Sequence, residues 1–171
     1  MNRFKGLRCY LAGNIEAITD HEARDWRIKA RVELEKRGFE VFDPLAKPVW
    51  LGANENVSER QELSQLRKQG RWEEFAIRAA EIRRVDLRAV NHADLVIACL
   101  APDKLAVGTI EEIVTATREG KLVFVVMDKD PVEMNPWLLD MVGLKYIHRT
   151  LKEVYTCLDA FTPIEMYVSP D

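Results

Sequence analysis

The chain has 171 residues, of which 47% are apolar and 31% charged, with a formal net charge of −3. That length suits one domain with a substantial core, and the mild acidity argues against a general nucleic-acid coat while leaving room for a pocket that takes one phosphate. No apolar run approaches a membrane span, and the N-terminal Met1-Asn2-Arg3-Phe4-Lys5 leads into a short strand rather than a signal-peptide core, so the cytoplasm is the expected compartment.

In chain order, Leu7 to Ala12 reads as a first strand that ends in Gly13-Asn14, where a glycine lets the backbone turn and lets a ligand come close. Asp20 is the expected N-cap of a helix reaching Arg37, with Ala23, Trp26, Ala30 and Leu34 as its inward stripe and Gly38 ending it. Phe39 to Phe42 is a second strand. Pro44 to Val57, with Trp50-Leu51 at its centre, reads as a long loop of the kind that serves as a lid or interface arm. A polar helix from Ser58 (its cap) to Gln69 follows, broken by Gly70, and a longer one runs from Arg71 to Asn91. Asp86 stands out there because it lies among apolar residues near the end that feeds the next strand.

Asp94 to Leu100 is a near-continuous apolar run and therefore a strand buried on both faces. A helix from Gly108 to Glu119 succeeds it, ended by Gly120. Lys121 to Met127 is a fourth strand, again central, with a loop from Asp128 to Pro131 at its carboxyl end. Asn135-Pro136-Trp137 opens a short helix, Leu144 to Ile147 is a fifth strand, and Thr150 caps a last helix to Phe161. The tail from Pro163 to Asp171, with Met166 and Tyr167, has no structural signal of its own. Strands alternating with helices imply an α/β fold: a single doubly wound domain over residues 1–171 with a mainly parallel five-stranded sheet, flavodoxin-like or Rossmann-like, in the order 2-1-3-4-5. Residues 45–80 read as a helical and loop insertion in it.

Cys9, Cys99 and Cys157 are far apart and odd in number, and read as reduced core thiols. His21, His92 and His148 have no metal-ligand spacing, and neither a GxGxxG fingerprint nor a Walker A loop is present, so no metal and no cofactor are expected.

The chemistry-bearing stretch is Asp94 to Ala116. In the inferred fold Tyr10, Gly13, Asp103, Gly108 and the pair Glu111/Glu112 gather at the carboxyl edge of adjacent strands, the usual ligand position in such sheets. A carboxylate in the first turn of a helix is favoured in its ionised form by the helix dipole, and an ionised carboxylate in a pocket can attack a carbon of oxocarbenium character, as in retaining glycosidases. The spacing also fits two exposed glutamates at a helix start, stabilised by the dipole. Periodicity does not choose between them: the inward face of the helix reads as Ile110, Ile113, Val114 and Thr117, with both glutamates off it.

The segment from Asp86-Leu87 through Ala98, then Val107-Gly108-Thr109-Ile110-Glu111-Glu112, Ala116, Gly120-Lys121-Leu122-Val123 and the N-terminal Tyr10-Leu11-Ala12-Gly13, resembles the nucleoside 2-deoxyribosyltransferase family. Its pattern is a D-L-x-x-I segment before a strand, a G-x-x-x-E helix start and a G-K at the following strand. The resemblance implies that Glu112 is the nucleophile that attacks C1′ of a 2′-deoxyribonucleoside, leaving Glu111 solvent-facing. It implies that Tyr10 orients the nucleophile and that Asp86 lies in the pocket and assists the nucleobase. Gly13, Asn14, Gly108 and Thr109 become candidate substrate contacts. Asn135 falls where the family has an asparagine reaching a neighbouring subunit's sugar, which implies a homo-oligomer with shared sites. The expected partners are therefore a small deoxynucleoside or deoxynucleotide and a free base, with neither membrane nor polymeric nucleic acid.

One position departs from the pattern. Family transferases carry an acid just before the V-G, where this chain has Ala106, and Asp103 is the candidate to replace it. Related nucleotide N-hydrolases also lack that acid and give the sugar to water, with phosphate sites near the first strand; here Asn14, the Gly13 amide and Lys104 are available for one. Transfer to a second base, hydrolysis of a 5′-monophosphate and non-catalytic nucleotide binding all follow from the same scaffold.

Overall fold

The computed structural model describes residues 3–15, 19–46 and 58–161, the last segment without the side chains of residues 58–60. The elements are β1 (Arg8–Gly13), α1 (Asp20–Arg37), β2 (Glu40–Phe42), α2 (Ser58–Lys68), α3 (Trp72–His92), β3 (Leu95–Cys99), α4 (Val107–Arg118), β4 (Leu122–Val126), α5 (Pro136–Val142), β5 (Ile147–His148) and α6 (Leu151–Ala160). The five strands form one sheet in the order β2-β1-β3-β4-β5, and each pairing is parallel. The expected order therefore holds, and the sheet is parallel throughout.

The central strands explain the core. Cys9 to Ala12 of β1, Leu95 to Ala98 of β3 and Leu122 to Val125 of β4 are all buried, as strands covered by helices on both faces require. α1 and α6 lie together on one face, tied by Arg37 to Asp159 at 2.8 Å, and α6 packs on β4 and β5. α3 and α4 pack against each other and against the central strands, with α5 beside α4. The strand order reverses between β1 and β3, so their carboxyl ends open a crevice at the switch point.

Several local readings change. The cap of α1 is Thr19, not Asp20: its hydroxyl accepts from the Glu22 amide and the Glu22 carboxylate accepts from the Thr19 amide, a reciprocal capping box. On the inward stripe of α1 the buried residues are Ala23, Arg27, Ala30 and Leu34, and Trp26 is only partly covered. Gly38 ends the helix in the left-handed region at φ 105°. The stretch read as a fifth strand is a 3-10 turn over Leu144–Tyr146, and β5 is the two residues after it, because Gly143 at φ 83° tightens the chain before pairing can start. Thr150 does cap α6, with Glu153 completing a second box. Residues 47–57, including Trp50 of the expected long loop, the capping side chain of Ser58 and the residues after Phe161 lie outside the described residues. Cys9, Cys99 and Cys157 are free thiols. No described helix is long and apolar enough to cross a membrane.

Candidate active site

The centre of the site is a buried pair. Tyr10, at the middle of β1, donates its phenolic hydrogen to Oε1 of Glu112 on α4 across 2.6 Å, a length typical of O–H···O⁻ bonds. Burial raises the Tyr10 pKa well above its usual value, and the charges of Glu112 and Asp86 and the bond to Glu112 raise it further, so the phenol stays a donor. Glu112 is 9% exposed, so it, and not Glu111, lies on the inward face of α4. The inward stripe of α4 is Thr109, Glu112, Ile113 and Ala116, whereas Ile110 is 38% exposed. The expected face was rotated by part of a turn because a buried carboxylate cannot register as apolar.

Glu111, one residue and about 100° of helix rotation earlier, points elsewhere. It forms a bidentate ion pair with Arg83 on α3, one arm of which spans 2.7 Å. The arginine holds its carboxyl below the usual carboxylate range.

Glu112 lines a cavity of about 270 Å³, close to the lower size of small-ligand pockets, with Gly13, Asn14, Ile15, Asp86, Leu105, Ala106, Val107, Gly108 and Thr109. Asp86 comes from α3, half-buried, and is the second carboxylate among these lining residues. Ala106 puts a methyl group on the wall. At Gly108 a side chain would extend into open space, so its absence leaves room rather than relieving a clash. The first turn of α4 has no side-chain cap, which leaves its backbone N–H groups directed towards the cavity end of the helix.

The Gly13–Asn14 corner is built tightly. A Cβ on Gly13 would lie 2.7 Å from Trp26 Cζ2 and 2.9 Å from the Cys99 carbonyl oxygen, so only glycine fits between β3 and α1. Asn14 is buried, and its Oδ1 accepts from the Ala101 amide at 3.1 Å. That bond leaves Nδ2 as a donor with no partner among the described residues, in a side chain that lines the cavity. A buried donor in this position is one that a ligand oxygen would satisfy.

Three sequence candidates fall elsewhere. Asp103 is exposed and lines neither this cavity nor the one beside it. Lys104 and Asn135 line the neighbouring cavity of about 880 Å³, which shares only Leu105 and Ala106 with the first. Asn135 is exposed, and its Oδ1 caps α5 by accepting from the Trp137 amide at 2.9 Å. No cluster of metal-ligating side chains occurs among the described residues.

Sequence reading missed Arg27. It is 0% exposed, donates from Nη2 to the Gly13 carbonyl at 2.9 Å and from Nη1 to the Ala23 carbonyl at 2.5 Å, and stands 3.6 Å from Asp43. The signal was present in its register: positions 23, 27, 30 and 34 share one helical face.

A parallel α/β sheet with a tyrosine-bonded glutamate at its switch point is an architecture suited to ligand chemistry at the strand ends. The profile of the nucleoside 2-deoxyribosyltransferase family matches residues 9–149, and the chain belongs to that family. Among solved structures it resembles the 2-deoxyribosyltransferase of the psychrotolerant bacterium Bacillus psychrosaccharolyticus, at 16% identity and a TM-score of 0.59, over 96% of this chain and 98% of that one. It also resembles the CMP N-glycosidase of Clostridium botulinum, at 21% identity and a TM-score of 0.48, over 90% of this chain and 99% of that one. A search of curated proteins found no match.

Proposed function

We propose that the chain cleaves the N-glycosidic bond of a 2′-deoxyribonucleoside through Glu112 and passes the deoxyribose to a second base. The observation that carries this reading is the buried Tyr10–Glu112 pair, whose glutamate lines a cavity with one other carboxylate, Asp86. Glu112 attacks C1′, the C1′–N bond breaks, and its electrons leave with the base, which takes up a proton supplied from Asp86 or from water. The glycosyl ester on Glu112 is then attacked at C1′ by a nitrogen of the incoming base, whose proton returns to Asp86 or water as the C1′–O bond breaks and the carboxylate is released. Tyr10 holds the nucleophile in orientation. Gly13, Asn14, Gly108 and Thr109 line the sugar side. Asn135, exposed and outside its own chain's Glu112 cavity, would serve a neighbouring copy in a homo-oligomer.

A second reading, hydrolysis of a 2′-deoxynucleoside 5′-monophosphate, is favoured by three features. Ala106 offers no acid to a base, while the unpaired Nδ2 of Asn14 and the first turn of α4 offer donors suited to a phosphate. Incubating deoxynucleosides and their 5′-monophosphates with and without a free acceptor base separates the two, since transfer requires the acceptor. Glu112→Ala is expected to lower turnover at least about a thousandfold while still binding substrate. A mass spectrum should place a deoxyribosyl adduct on the Glu112 peptide. An adduct on Glu111, or near-normal turnover in Glu112→Gln, refutes Glu112 as the nucleophile, whereas a wild type that binds nucleoside or nucleotide but releases no base points to a binding module instead.

A further inference from the structure

Arg27 is an unusual component for a core. Its guanidinium is completely buried, its Nε has no hydrogen-bond partner, and its contact with Asp43 at 3.6 Å is longer than a hydrogen bond. Burying a cation on these terms opposes folding, and buried ion pairs are commonly replaceable by apolar side chains without loss. Nor does Asp43 depend on it, because Arg31 stands 3.7 Å from the other carboxylate oxygen. Two cations therefore face one carboxylate behind the β1–α1 corner, leaving that side with an excess of positive charge.

The excess lies next to the cavity. Arg27 Nη2 bonds the Gly13 carbonyl and would stand 3.3 Å from a Cβ on that residue, while Gly13 itself lines the cavity with Glu112. The absent side chain is what lets the guanidinium come so near. We propose that Arg27 is a positioning residue for the chemistry of Glu112: it supplies, from behind Gly13, the buried positive charge that keeps the carboxylate in its nucleophilic form, and its fork holds the Gly13–Asn14 corner in place. The inference rests on Glu112 being the nucleophile.

The electrostatics are consistent with that geometry. Burial lowers the Arg27 pKa, and Asp43, Tyr10, Cys99 and Glu112 all act to keep it charged. Arg27 in turn opposes the upward shift of Tyr10. Among the described groups around Glu112 are Tyr10 from β1, which bonds it, and Asp86 from α3, which lines the same cavity, with Arg27 from α1 behind Gly13. Of these groups, Arg27 alone is a cation.

The test compares wild type with Arg27→Met, Arg27→Gln and Arg27→Lys. The first two remove the charge, and glutamine retains a donor for one carbonyl; Asp43 keeps Arg31 in both. The readouts are the pH dependence of kcat/KM for base release and the ¹³C-carboxyl titration of Glu112. Both neutral variants should move the acidic limb, and the Glu112 midpoint, upward by about one pH unit. Arg27→Lys should keep the limb near the wild-type position with a lower plateau, because one ammonium cannot span both carbonyls as the fork does. Arg27→Gln covers the case in which Arg27→Met does not fold. A limb and a Glu112 midpoint identical to wild type in a folded neutral variant overturn the inference. A wild type that releases no base overturns the functional reading instead, and the Glu112 titration then still decides whether Arg27 acts on it.

Discussion

Replacing Tyr10 with phenylalanine removes one oxygen and leaves the aromatic ring in a core position that is 1% exposed. The lost interaction is the 2.6 Å bond to Glu112. Hydrogen bonds to charged groups are worth about 1.5–3 kcal/mol. If orientation of the nucleophile depends on that bond, its loss costs between about tenfold and 150-fold in rate, at 1.36 kcal/mol per decade. Part of the bond's strength is given up anyway as the carboxylate disperses its charge into the new C1′–O bond, so a kcat loss of about 10- to 100-fold is expected. Tyr10 is not among the cavity-lining residues, so KM should stay within about threefold. Initial rates of base release at 25 °C, on protein shown to be folded by circular dichroism, provide the assay. A Tyr10→Phe enzyme with wild-type kcat, or with the whole loss in KM, would refute the role given to the pair.

Two further outcomes follow from the packing. Gly13→Ala forces a methyl group to within 2.7 Å of Trp26 and 2.9 Å of a backbone carbonyl, so overpacking should cost about 1–3 kcal/mol and lower Tm by several degrees; an unchanged melt would show that the corner yields. At alkaline pH the buried acids predict a loss of stability. Burial pushes the Cys99 thiol from 9.0 up to about 12 and raises Cys9 and Tyr10 further above their ordinary values. Each group holds its proton more tightly when folded, so the stabilisation is complete below the unfolded thiol value and declines as pH rises from about 9 towards 12. Urea midpoints measured from pH 8 to 11 should hold until about pH 9 and fall beyond it, and a profile flat to pH 11 would contradict the burial of these groups.

The fold was legible because each signal for it is local and periodic. Apolar runs at Leu95–Cys99 and Leu122–Val126 can only be central strands, and Gly38 and Gly120 end their helices with the positive φ that their residue type suggests. The site was legible in part. Glu112 was reached through a motif and not through the helix pattern, since a pattern that scores apolar residues assigns a buried carboxylate to the outside. Ile110 drew the expected face of α4 towards the neighbouring cavity, where that side chain sits exposed. Arg27 was hidden by its own charge, although its register with Ala23, Ala30 and Leu34 marks it as inward. Its link to Asp43 joins residues from different elements and has no sequence signal. Asp103 shows the opposite limit: proximity along the chain places it by the site, but an exposed loop position has no sequence signal of its own.

The two adjacent glutamates of α4 show how a helix assigns work by angle. Glu111 and Glu112 share a side chain, a helix turn and a dipole, yet one is moored to Arg83 on α3 and the other faces Tyr10 in the interior. Arg83 stands three residues before Asp86, so the mooring on the outer side joins the same two helices whose inner sides carry the cavity's carboxylates. The Arg83–Glu111 ion pair is placed like an outrigger: it spans α3 and α4 on their outer sides, while Asp86 and Glu112, like-charged when both ionised, share the cavity on their inner sides.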